Sequence, residues 1–128
     1  MPSSDTPRIL VVEDDDIVRM LMVDVLEELD FAVMEAEGWD SAVSILESDT
    51  GVDLLVTDVG LSDAANRDGI ELAKLARQLR PGIPVLVASG YGNTVDLPEG
   101  TQMLGKPFNI DALRETVTAL LAQHAERP

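Results

Sequence analysis

Three apolar runs in this chain end in residues that could do chemistry, and a further strand-like run is followed by one. Glu13 and Asp14 follow Ile9-Leu10-Val11-Val12, and Asp58 closes Leu54-Leu55-Val56-Thr57. Ser89 follows Val85-Leu86-Val87-Ala88, and Gly105-Lys106-Pro107 follows Gln102-Met103-Leu104. Gathered at one place, these residues supply three carboxylates, a hydroxyl and an ammonium. Crowded carboxylates repel, and one must hold its proton unless a cation compensates. An all-oxygen ligand set with room for water suits Mg²⁺, a hard cation that favours phosphate partners. Lys106 then offers a fixed positive charge to an anion, and Ser89 a hydrogen bond to a phosphoryl oxygen. Asp58 beside them is a plausible nucleophile toward phosphorus, because carboxylates form acyl phosphates. Cation and lysine would stabilise charge on the transferring group, which is how most phosphoryl transfer is catalysed.

Only a particular architecture brings these positions together. Apolar runs alternate with helical patterns in five βα units. Ile9 to Val12 reads as a buried first strand, followed by a helix from about Asp16 to Leu29 with Ile17, Leu21 and Val25 at four-residue spacing. Phe31 to Met34 reads as a second strand and Trp39 to Leu46 as a second helix. Leu54-Leu55-Val56 forms the third strand, and Gly69 opens a third helix carrying Ile70, Ala73, Ala76 and Leu79. Pro81-Gly82 stops that helix. Val85 to Ala88 is the fourth strand and Gln102 to Leu104 the fifth. Gly90, Gly92, Asn93, Pro98 and Gly100 lie between Ser89 and Lys106, so the fourth crossover is expected to be a loop or one or two turns at most. Asn109 looks like the N-cap of a last helix, with Ile110, Leu113, Val117, Leu120 and Leu121 inward. Five such units predict an α/β doubly wound parallel sheet in the order 2-1-3-4-5. Ligands bind such sheets beyond the C-terminal strand ends, where strand order reverses.

Composition agrees. The 128 residues suit one domain, with residues 8–125 the folded body and residues 1–7 and 126–128 its tails. With 45% hydrophobic but only 3% aromatic residues, the core must be aliphatic, as in a sheet covered on both faces. The chain has no cysteine, which removes disulfides and thiolate metal sites. No signal peptide opens it, and no apolar run approaches the roughly 20 residues that span a bilayer. A cytoplasmic location is expected. The net charge of −15, from 24 acidic and 9 basic residues, disfavours nucleic acid and anionic membranes as partners.

From Arg8 to Gln123 the chain resembles the response-regulator receiver family, whose fold is flavodoxin-like. Glu13-Asp14 after the first strand resembles its metal site, and Asp58 its phosphoacceptor. Ser89 resembles its switch hydroxyl, and Lys106-Pro107-Phe108 its Lys-Pro-Phe signature. The resemblance implies Mg²⁺ held by Asp14, Asp58, the backbone carbonyl of Gly60, and Glu13 directly or through water. It also implies a phosphohistidine donor, on a histidine kinase or a histidine phosphotransfer protein, and a downstream protein target. Such a domain catalyses only its own phosphorylation and dephosphorylation. With no output domain after the last helix, output is expected through protein contacts. The chain departs from the family at Met103, where Tyr or Phe often serves as a rotameric switch. The 60–68 loop is slightly long, without the common proline. Ser89-Gly90-Tyr91, with no switch aromatic and a short or missing fourth helix, resembles the FATGUY subgroup.

Blander readings exist for each piece. Asp15 and Asp16 read simply as a helix cap, and the whole acidic run could be one. Ser89 alone could merely end a strand, and Lys106-Pro107 alone could be a surface turn. Tyr91 reads as a rim or surface residue, Met103 as core filler and His124 as solvated. Two other functions compete. A haloacid-dehalogenase-like phosphatase would use Asp58 as nucleophile, but it wants a second Asp where Gly60 stands. A phosphorylation-independent adaptor would have little use for a complete acidic pocket.

Overall fold

The computed structural model describes residues 7–58, 69–89, 101–105 and 109–125; for residues 89 and 123–125 it describes the backbone alone. The elements run β1 (Arg8–Val12), α1 (Asp16–Glu28), β2 (Ala32–Ala36), α2 (Trp39–Glu47) and β3 (Leu54–Asp58). They continue as α3 (Gly69–Leu79), β4 (Val85–Ser89), β5 (Thr101–Gly105) and α4 (Ile110–Ala125). All neighbouring strands pair in parallel, in the expected order β2-β1-β3-β4-β5. The 90–100 stretch, where a loop or short helix is expected, lies outside the described residues.

Successive strand residues point to opposite faces, and the core divides accordingly. Leu10, Val12, Leu55, Val85 and Val87 face α2 and α3 through Ala42, Leu46, Leu72, Ala73 and Ala76. Ile9, Val11, Leu54, Val56 and Leu86 face α1 and α4 through Met22, Leu26, Leu113 and Val117. β1, β3 and β4 are thus covered on both sides. That explains why they read as unbroken apolar runs without alternation.

Side-chain caps and turns fix the helix ends. Asp15 caps α1, its Oδ1 accepting from the N–H groups of Ile17 at 2.9 Å and Val18 at 3.0 Å. Asn109 caps α4 in the same manner, its Oδ1 accepting from the Ala112 N–H at 2.7 Å. After α3 the chain turns at Pro81-Gly82, with Gly82 at φ 91°, a left-handed conformation that glycine adopts without steric cost. Arg80 at that turn reaches back across the molecule. Its guanidinium donates to the carbonyls of Leu46 at 3.1 Å and Ser48 at 3.0 Å, satisfying the open C-terminal end of α2.

In α1 the four-residue series is not the buried face, and in α4 one inward-facing expectation needs correction. Ile17 and Leu21 of α1 are 71% and 60% exposed, while Met22, Val23 and Leu26 form its buried face. Ile110, expected on the inner face of α4, is 56% exposed. Strand β2 also runs two residues further than its apolar pattern, to Ala36, because its edge position lets Glu35 face outward.

Candidate functional site

Strand register brings the chemistry to one level. Val12 pairs with Thr57 across β1 and β3, so Glu13 stands opposite Asp58 on the neighbouring strand. Neighbouring strands lie about 4.8 Å apart, so a carboxylate at each end is held near its counterpart by backbone pairing alone. Glu13, Asp14 and Asp58 each place an oxygen within 4.8 Å of the other two. The three that the sequence singles out do converge.

Their environments differ. Glu13 is 3% exposed, Asp58 is half-buried and Asp14 faces solvent. The Glu13 N–H donates to the Ala36 carbonyl on β2 at 3.1 Å, extending the β1–β2 pairing one residue beyond the strand. Its Oε2 accepts from the Asp15 N–H at 3.0 Å, folding the turn over toward α1. Thr57, fully buried below the site, donates from Oγ1 to the Asp58 carbonyl at 3.1 Å. That bond satisfies a hydroxyl in an apolar layer and ties down the backbone at Asp58.

The other side of the site is set by β4 and β5. Asp58 pairs with Ala88, which puts Ser89 one residue beyond it, and Ser89 pairs with Gly105. The Ser89 backbone therefore belongs to the same strand-end rim. Gly60, Tyr91 and Lys106 lie outside the described residues, as does the side chain of His124. Gly105, the residue before Lys106, is in place at the end of β5. Met103, in the middle of that strand, is half-buried against the α2–α3 side of the core, so it serves as filler there.

Such a rim fits a hard divalent cation: three carboxylate oxygens from two adjacent strand ends, with one residue open to water. Comparison with known proteins settles the family. The model of the response regulator receiver domain matches residues 9–118. The chain belongs to this family. The response regulator receiver protein CpdR of Brucella abortus (strain 2308) is 31% identical over 121 residues, covering 90% of this chain and 98% of that protein. The sensor kinase CckA of the same organism is 34% identical over 124 residues, but the chain spans only 13% of its length. Among solved structures, the receiver domain of the hybrid histidine kinase CckA matches with a TM-score of 0.76 at 36% identity, covering 89% of this chain and 98% of that one. A response regulator receiver protein from Sinorhizobium medicae WSM419 matches with a TM-score of 0.82 at 27% identity, over 95% and 99% of the two chains. The receiver domain is a phosphoacceptor module of two-component signalling, and its acidic pocket generally binds Mg²⁺. Among the described residues, no helix is long and apolar enough to cross a membrane.

Reasoning from sequence missed one residue that the site uses. Arg19, one turn into α1, donates to the Glu13 carbonyl at 2.6 Å. Its spacing from Glu13 was visible, but an arginine among acidic residues on a helix reads first as a surface ion pair.

Proposed function

We propose that this receiver accepts one phosphoryl group on Asp58, with Mg²⁺ held by Glu13, Asp14, Asp58 and the Gly60 carbonyl. The observation that carries the reading is the convergence of three carboxylates from β1 and β3 on one point at the C-terminal rim of the sheet. In the transfer, an Asp58 carboxylate oxygen bonds to phosphorus as the phosphorus–nitrogen bond of the donor phosphohistidine breaks. The product is an acyl phosphate on Asp58 and a free imidazole on the donor. Bound Mg²⁺ would offset the negative charge on the phosphoryl oxygens. Lys106, following Gly105 at the end of β5, pairs with those oxygens, and Ser89 donates to one of them. Hydrolysis follows when water bonds to phosphorus as the Asp58 oxygen–phosphorus bond breaks, which returns the free carboxylate and releases inorganic phosphate. No external metabolite is turned over, so the domain acts only on its own phosphorylation state.

The donor is a histidine kinase or a histidine phosphotransfer protein, and the output is contact with a downstream protein. Helix α1 suits the first contact: Ile17, Met20 and Leu21 are 71%, 60% and 60% exposed and share one face that starts three residues after Asp14. The domain occupies residues 8–125 and works in the cytoplasm, where such donors act. The Ser89-Gly90-Tyr91 motif and Met103 support placing it in the FATGUY subgroup, which does without an aromatic switch on β5. The half-buried Met103 agrees with that, since an outward-swinging ring has no counterpart there.

The test is phosphorylation of the full chain by a phosphohistidine protein or by acetyl phosphate. With Mg²⁺, intact-mass spectrometry should show one added phosphoryl group, absent in Asp58→Asn and absent with a chelator. If the wild type takes no label from any donor, the reading is wrong, and the phosphorylation-independent adaptor takes its place.

A further inference from the structure

Arg19 spreads its guanidinium over three acceptors. Nη1 donates to the Glu13 carbonyl oxygen at 2.6 Å, Nε to Glu35 Oε1 at 3.1 Å and Nη2 to Asp16 Oδ1 at 2.6 Å. The side chain is only 12% exposed, and while Asp16 and Glu35 are open to solvent at 82% and 52%, the bond to the Glu13 carbonyl is part-buried. The acceptors come from three places: the turn after β1, the end of β2 and the first turn of α1.

The Glu13 carbonyl belongs to the peptide unit that joins Glu13 to Asp14. Peptide units are planar, so the orientation of this one sets how the two carboxylates are splayed relative to each other. Its neighbouring groups are already fixed, by the Glu13 N–H bond to Ala36 and by the Asp15 N–H bond to Glu13 Oε2. Arg19 adds the hold on the carbonyl itself.

We propose that Arg19 is a positioning residue for the divalent-cation site, locking the Glu13–Asp14 peptide so that both carboxylates face Asp58. This rests on the reading of those three residues as cation ligands. Charge is not how it acts. Asp16 and Glu35 together outweigh the single guanidinium charge, and both are bonded directly to it. What Arg19 contributes is a planar fork with donors in fixed directions, which lysine lacks.

The two possible roles give opposite signs. Removing a cation beside a cation site would, through charge alone, tighten Mg²⁺ binding. Removing a positioning group loosens it. Supporting contacts behind metal ligands typically contribute 10- to 100-fold in affinity, and a contact made through the backbone belongs at the lower end.

The experiment is calorimetric titration of Mg²⁺ into the full chain, for wild type, Arg19→Met, Arg19→Lys and Glu35→Gln. Melting in chelator and far-UV circular dichroism establish which variants are folded. Arg19→Met is expected to bind Mg²⁺ about tenfold more weakly, and Arg19→Lys at least about threefold more weakly despite keeping its charge. Glu35→Gln, whose amide oxygen still accepts from Nε, should stay within about twofold of wild type. Should Arg19→Met fail to fold, Arg19→Lys decides. Wild-type or tighter affinity in either folded Arg19 variant overturns the proposal. A wild type that binds no Mg²⁺ overturns the reading of the site instead.

Discussion

Asp14 is the exposed member of the carboxylate cluster, and its two roles oppose each other. Without a cation it stands within 4.8 Å of Glu13 and Asp58 oxygens, a repulsion of about 1 kcal/mol per pair even in water-like surroundings. With a cation it is a ligand. Asp14→Asn should therefore melt higher than wild type in chelator, yet gain from added Mg²⁺ almost nothing beyond what NaCl of matched ionic strength gives. Thermal melts in chelator and in excess Mg²⁺ test both halves, and an Asp14→Asn protein that still responds to Mg²⁺ like wild type would remove Asp14 from the ligand set. Glu13, Asp14 and Asp58 were legible in sequence because each follows a buried strand, and parallel register then carries them to one level. Arg19 was not legible. Its key acceptor is a backbone carbonyl and another lies on β2, relations that no spacing along the chain encodes.

Helix α1 shows how an element can be predicted while its orientation is not. Apolar residues surround it almost completely, at positions 17, 18, 20 to 23, 25, 26 and 29. A four-residue spacing overshoots the 3.6-residue turn by about 40° per step, so the series starts on the exposed face at Ile17 and Leu21 and drifts to the half-buried flank at Val25. Packing against β1, β2 and α4 selects Met22, Val23 and Leu26, and leaves Ile17, Met20 and Leu21 outside. This outward face carries a prediction. Leu21→Glu should leave phosphorylation by acetyl phosphate within about twofold of wild type, because no core contact is lost. Transfer from a phosphohistidine protein should slow at least about tenfold, since a charge is buried on docking. Equal slowing with both donors would mean the substitution damages the site and not a docking face. The cap that starts α1 is a separate matter. Asp15→Ala removes the acceptor for Ile17 and Val18 and should cost about 1 kcal/mol in denaturant unfolding measured in chelator. It spares the bond to Glu13, which uses the Asp15 backbone N–H. Both halves of that expectation are checked by comparing unfolding with Mg²⁺ affinity.

Across the whole molecule, a closely packed aliphatic core is set against a surface with a net charge of −15. Leu86, fully buried in β4, illustrates the first term: Leu86→Ala should cost about 2–5 kcal/mol in urea unfolding. The fold was legible at this scale because aliphatic runs bounded by turn residues admit few arrangements other than a parallel sheet covered on both sides. The second term complicates any measurement of cation binding. Salt screens surface repulsion with a Debye length of about 10 Å at 0.1 M, so any electrolyte should raise the melting temperature somewhat. A specific site adds to this by mass action. At about 100 times its dissociation constant, bound Mg²⁺ contributes about 2.7 kcal/mol, which for a chain of this size is roughly 10 °C. The decisive comparison is MgCl₂ against NaCl at matched ionic strength, in wild type and in Asp58→Asn. Wild type should melt well above its NaCl control, while Asp58→Asn should lose most of that difference and keep the common screening gain. If NaCl stabilised wild type as much as MgCl₂ did, the gain would be screening of a highly charged surface, and the three converging carboxylates would not amount to a cation site.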